Sequence, residues 1–236
     1  MLEEFTNYYN TFNKEKAIVY KYKHSIRVME ICGMLAKSLN LSEEEIQLCK
    51  LIGLLHDYGR FMQWKLYNSY NDLETLDHAD YSVELLFDNN EIKKFNAQKK
   101  YYNIIYDAIK NHNKYKIDKN VSKESLLYIN IIRDADKLDI LSEFSNSLLY
   151  PENNGNFIHK AVRNNFFKHK SVKTPKNRTT YDLIIVKMAF IFDLNFEYSF
   201  KYLNELKITN KIEALDKNVF KEYIEEFKRY MEERTC

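Results

Sequence analysis

Five places along the chain set a histidine or a carboxylate at or near one end of an apolar helical stripe: His24, the adjacent pair His56 and Asp57, His78, His112, and Asp136 with Asp134 and Asp139 beside it. Imidazole nitrogens and carboxylate oxygens without thiolate suit Mn, Fe, Co, Ni or Zn. Six protein ligands are too many for one ion that must keep a coordination position open. The economical chemistry is two ions a few ångström apart that share a carboxylate and a bridging hydroxide. One histidine of this kind would signify little, because a helix C-terminus also favours a partly positive imidazole. Several independent helices doing the same thing is a different matter, since unpaired polar burial costs several kcal/mol at each site.

The elements that must deliver these side chains are helical. His24, Val28, Ile31 and Leu35 fall at i, i+4, i+7 and i+11, one face of a helix that ends near Asn40. Ser42 with Glu45 has the spacing of a capping box and opens a helix through Ile46, Cys49, Ile52 and Gly53 to His56. Gly53, one turn before His56, allows another element to approach closely. Residues 59–77 show no steady period and are expected to form an aromatic loop at the mouth of the site. Asp77 can cap a helix that starts at His78, with Ser82 and Leu85 beneath it and Tyr81 alongside. Tyr101, Ile105, Ala108 and Ile109 share the face that ends at His112, and Ser122 with Ser125 opens a helix on which Ser125, Ile129, Ile132 and Asp136 align.

Beyond the break Pro151-Glu-Asn-Asn-Gly155, helical segments are expected over 157–167, 180–192 and 196–206, with a last one reaching about Glu233. A basic loop, 168–178, lies between the first two. A short leading helix is expected within 1–23. No repeat or convincing linker divides the chain, so residues 1–236 are expected to form one domain, with a motif-bearing core over about 24–140 and a C-terminal helical extension over about 156–233.

Composition agrees with an all-α fold. The chain of 236 residues has only 4 Gly and 2 Pro, little material for the tight turns of a β protein, and its 45% hydrophobic content can fill a sizeable core. A formal net charge of +2, with both signs interspersed, gives no field that implies nucleic acid or membrane binding. Cys32, Cys49 and Cys236 are widely spaced and odd in number, so neither a disulfide framework nor a zinc ribbon is expected. An acidic N-terminus unlike a signal peptide, and a most apolar stretch, 183–192, that is short and carries Lys187, point to a soluble protein of the cytoplasm.

The order His, His-Asp, His, His, Asp resembles the HD superfamily of metal-dependent phosphohydrolases in its two-metal form. The strings Leu54-Leu-His-Asp-Tyr-Gly-Arg-Phe61 and Ile132-Arg-Asp-Ala-Asp-Lys-Leu-Asp139 carry the likeness. The resemblance implies a helical HD-domain bundle in which His24, His56, Asp57 and Asp136 bind the first metal. His78 and His112 would complete the second, with Asp57 bridging. It selects Asp136 over Asp134 and Asp139 as the late ligand. It also implies two divalent transition-metal ions, Mn or Fe ahead of Co, Ni or Zn, with Asp57 and Arg60 in the catalytic machinery and Arg60 and Lys137 on substrate phosphate. His159 and His169 match no family position and are read as surface residues.

The expected function is hydrolysis of a phosphate ester of a nucleotide or related small molecule, the two cations supplying a hydroxide and neutralising the phosphate. Two alternatives share the same residues: a mixed-valent diiron oxygenase acting on a polyol or phosphonate, and a non-catalytic nucleotide-binding regulatory module. Neither a G-x-S-x-G nor a P-loop pattern occurs, in keeping with chemistry that uses no side-chain nucleophile. The expected partner is a small phosphorylated compound, with neither membrane nor nucleic acid, and a homo-oligomer is left open.

Overall fold

The computed structural model describes residues 1–144, 155, 157–173 and 175–235, and the protein is all-α, with no strand among these residues. The chain divides into two compact units, Met1–Asp136 and Lys137–Cys236. The first unit contains every candidate metal ligand.

In the first unit, α1 (Leu2–Asn10) leads into the long α2 (Lys16–Ser38), which packs along α3 (Glu43–Leu55). The face of α2 read from the sequence is the buried one: His24, Val28, Ile31 and Leu35 are all closed to solvent. At the start of α3 the Ser42 hydroxyl accepts from the Glu45 amide while the Glu45 carboxylate accepts from the Ser42 amide, the expected capping box. At Gly53 α2 and α3 approach closely: a Cβ there would lie 2.8 Å from Cys32 Sγ and 2.9 Å from the Met29 Cα.

The expected loop over 59–77 is a correction. Tyr58–Tyr67 is a helix, α4, and only 68–77 is loop. Its inward face holds Tyr58, Gly59, Phe61 and Gln63, a mixture of aromatic, small and amide side chains that shows no apolar stripe. The apolar partners come from α1: Tyr8 stacks on Tyr58 at 4.0 Å between centroids, and Phe5 meets Phe61 edge-on at 5.7 Å. The buried Gln63 amide is satisfied by the loop, donating to Asp72 Oδ1, Thr75 Oγ1 and the Leu76 carbonyl.

Asp77 caps α5 (His78–Val83) through the amides of Ala79 and Asp80, as read. Leu85 does not share its buried face. The chain continues as a π-turn over Glu84–Asp88, which adds a residue to the turn and brings Leu86 inward instead. The face of α6 (Tyr102–Asn111) buries Ile105, Ala108 and Ile109, and α7 (Lys123–Ser142) opens with the Ser122 hydroxyl accepting from the Ser125 amide.

In the second unit α8 (Lys160–Phe166), α9 (Thr180–Met188), α10 (Glu197–Glu205), α11 (Ile208–Glu213) and α12 (Lys217–Thr235) enclose an aromatic core. There Phe166 meets Phe192 and Tyr223 edge-on. α11 was not foreseen as a separate helix, and residues 151–154 of the expected break lie outside the described residues. His159 and His169 are half-buried and paired. His159 Nδ1 bonds Asp182 Oδ2 at 2.5 Å and His169 Nε2 bonds Glu226, partners supplied by helices distant in sequence.

Candidate metal centre

Four of the six ligand candidates, His56, Asp57, His78 and His112, sit at helix ends, and the other two lie within helices. His56 follows the last residue of α3, and Asp57 precedes the first of α4, so the two make up the whole junction between these helices. His78 begins α5, His112 follows α6, and His24 and Asp136 lie inside α2 and α7. Gly59 makes the junction of α4 and α5 possible, because a Cβ there would stand 2.9 Å from the Ser82 amide nitrogen. Its own amide donates to Ser82 Oγ, which in turn donates to the His78 carbonyl, so the turn carrying Asp57 is tied to the turn carrying His78.

The side chains converge. His24 and His56 present their Nε2 atoms to each other at 3.2 Å, and His78 and His112 do the same at 3.0 Å. Asp57 lies between the pairs with one oxygen for each. Its Oδ2 is 3.4 Å from Nε2 of both His24 and His56, whereas its Oδ1 is 3.3 Å from His78 Nε2 and 3.9 Å from His112 Nε2. Asp136 joins the first pair, with Oδ1 at 3.2 Å from His24 and 3.8 Å from His56. Of the six, Asp136 alone has appreciable exposure, 21% of its side chain, so water reaches the cluster on its side.

Hydrogen bonds on the far side of the rings fix which nitrogen faces inward. His112 Nδ1 donates to the Ile109 carbonyl at 2.6 Å, and His56 Nδ1 donates to the Gly53 carbonyl at 2.7 Å. His78 Nδ1 bonds Asp72 Oδ2 at 2.5 Å. A carbonyl can only accept, so the inward Nε2 of a neutral ring is a lone pair. Burial, followed by the neighbouring His78 and His56, pushes the His112 imidazole well below its ordinary range, and burial with Arg60 lowers His78. Two neutral rings therefore aim lone pairs at one another across 3.0 Å, which is unfavourable unless a cation lies between them. About 3 Å is also the separation of two donors held at right angles on one ion with bonds of about 2.1 Å.

The carboxylates are in the form a cation requires. Burial alone would raise Asp57, but the Lys21 ammonium, with the imidazoles of His56 and His24, holds it well below the usual carboxylate range. Burial is likewise outweighed at Asp136 by His24, His56 and His112. Neutral imidazole and ionised carboxylate are the ligating protonation states. Three overlapping sets of side chains could each hold an ion here: His24, His56 and Asp57; His56, His112 and Asp136; and Asp57, His78 and His112. Asp72, Asp77 and His78 are also close together. Asp77, however, is engaged by the α5 amides, Asn113 and Lys114, and His78 Nδ1 by Asp72.

Arg60 reaches the centre, with Nε 3.5 Å from Asp57 Oδ1, but its Nη1 is held by Gln63, the Tyr70 carbonyl and Asp72. Lys137, in the second unit, pairs with Asp193 at 3.0 Å. Sequence reasoning missed Lys21, Asp72 and Arg133. Lys21 is one helical turn before His24 and so shares its face, a signal the periodicity contained. Arg133 is buried and donates to the carbonyls of Asn111, His112 and Lys114, holding the turn that carries His112.

The HD domain family model matches residues 22–141. Among curated proteins, Ribonuclease Y from two strains of Staphylococcus epidermidis is 37% identical over 90 residues, which cover 38% of this chain and 13% of that protein. The chain thus matches only a small part of those relatives' length. No solved structure matches it, and no helix among the described residues is long and apolar enough to cross a membrane.

Proposed function

Since the chain belongs to the HD domain family of metal-dependent phosphohydrolases, its model spanning residues 22–141, we propose that it hydrolyses a phosphate ester of a nucleotide or related small molecule at a centre of two divalent cations. The observation that carries this reading is Asp57, one oxygen directed to the His24 and His56 pair and the other to the His78 and His112 pair. On this reading His24, His56, Asp57 and Asp136 hold one ion, and Asp57, His78 and His112 hold the other.

When bound, the cations would supply a water of lowered pKa and positive charge to offset the phosphate oxygens. The residues of the chain do the rest. The Nδ1 bonds keep the imidazoles of His56, His78 and His112 facing inward, and five of the six side chains are buried, with Asp136 the more open one. Arg60, braced by Asp72 and the Tyr70 carbonyl, directs its Nε toward the centre, where a phosphate oxygen could accept from it. Mn or Fe suits this nitrogen and oxygen donor set.

A second reading follows from the relatives named Ribonuclease Y: a phosphodiester of RNA as substrate. The evenly mixed charge of the chain favours the small molecule. The test is a screen of phosphomonoesters, nucleotides and RNA with Mn, Fe, Co, Ni or Zn added, repeated with Asp57→Ala. Loss of both bound metal and turnover in the variant is expected, and full activity without Asp57 would sink the proposal. Oxygen uptake by iron-loaded protein on a polyol or phosphonate would replace it with the oxygenase chemistry.

A further inference from the structure

The bonds behind the inward-facing rings are not alike. His56 and His112 follow the ends of α3 and α6, so each Nδ1 finds the carbonyl three residues back on its own helix. His78 is the first residue of α5 and has no preceding turn to offer one. The loop over 68–77 supplies a carboxylate instead: Asp72 Oδ2 bonds His78 Nδ1 at 2.5 Å. The other oxygen of Asp72 accepts from Arg60 Nη1 at 2.6 Å and Gln63 Nε2 at 3.0 Å, so the carboxylate is held on three sides.

The two halves of the centre also differ in charge. Asp136 adds a second carboxylate within 3.8 Å of the His24 and His56 Nε2 atoms, whereas the carboxylate that pairs with His78 Nε2 is the shared Asp57. A carboxylate bonded to the remote nitrogen of a ligating histidine fixes its tautomer, strengthens it as a donor and places negative charge behind it.

We propose that Asp72 is the positioning residue for the second cation, making occupancy of the His78 and His112 side depend on the folded 68–77 loop. This rests on the two-cation reading above. Asp72 touches neither ion nor substrate. It acts through His78, and the Arg60 that points at the centre is braced on the same carboxylate.

The test is titration of metal-stripped full-length protein with Mn2+ alone, following free Mn2+ by electron paramagnetic resonance. Wild type is expected to take two equivalents. Asp72→Asn, nearly isosteric and still an acceptor for Gln63 and Arg60, is expected to keep the first and weaken the second by about 10- to 100-fold. Asp72→Glu, which restores the charge, should recover part of that loss. A general fault in folding would weaken both equivalents together. Unchanged binding of the second equivalent in Asp72→Asn, or equal loss in the Asn and Glu variants, would overturn the role of Asp72. A single equivalent in wild type would overturn the two-cation reading itself, and this inference with it, before any variant is compared.

Discussion

Lys21 Nζ stands 2.6 Å from Asp57 Oδ2, the same oxygen that faces His24 and His56. The ammonium occupies the electrostatic position that a first cation would share, and it is the largest attractive influence on the Asp57 carboxyl. Lys21 therefore compensates the buried carboxylate when metal is absent and repels the metal when it arrives.

Lys21→Met should separate these effects. Without metal, Asp57 loses its nearest cation, and stability is expected to fall by about 3 kcal/mol, the cost of breaking a buried pair from one side. Adding Mn2+ should then raise the melting temperature of the variant more than that of wild type, because bound metal both compensates Asp57 and meets less repulsion. Melting curves with and without metal decide it, and equal metal-induced shifts would remove Lys21 from the account.

Lys187 gives a prediction for pH that is independent of the centre. It lies in α9 of the second unit, and burial pushes its amine down from 10.5 to about 7. Between those values the unfolded chain binds the extra proton, so stability rises as pH increases from about 7 toward 10.5. Below about 7 both states are protonated, and this group no longer makes stability depend on pH. Lys187→Met, which keeps most of the apolar stem, should stabilise the protein by a few kcal/mol at pH 6 and by much less at pH 9.5. Denaturant titrations at the two pH values measure this, and a benefit independent of pH would contradict it.

What was legible in the sequence follows from the range of the forces involved. His24, His56, His78 and His112 were found because a position at the end of an apolar stripe is set by local helical periodicity, and the Ser42 and Asp77 caps because they act within three residues. α4 was not legible: Phe61 is buried by α1, and Gln63 only because the 68–77 loop satisfies its amide. Asp72 was hidden for the same reason, since its three partners meet only when that loop closes. The displaced face of α5 came from a π-turn that no periodicity announces. The partners of His159 and His169 were not legible because Asp182 and Glu226 lie 23 and 57 residues away. Periodicity names the candidates, then, while close approach of helices decides whether they meet.

That approach can be tested at Gly53. A Cβ added there meets Met29 Cα at 2.9 Å and the Val28 carbonyl oxygen at 3.0 Å, backbone atoms of α2 that cannot swing aside. Gly53→Ala must push α2 and α3 apart about one helical turn from the 3.2 Å approach between His24 and His56. It is expected to cost about 1–3 kcal/mol in stability and to weaken metal binding by the first pair. Gly33→Ala is the control on the same interface, because the atoms its Cβ would meet belong to the Lys50 side chain, which can move. There the gain in helix propensity, up to about 1 kcal/mol, offsets the crowding, and stability and metal affinity should stay near wild type. Denaturant titration together with Mn2+ titration of both variants settles the point: equal effects would mean that the separation of the two helices does not set the geometry of the centre.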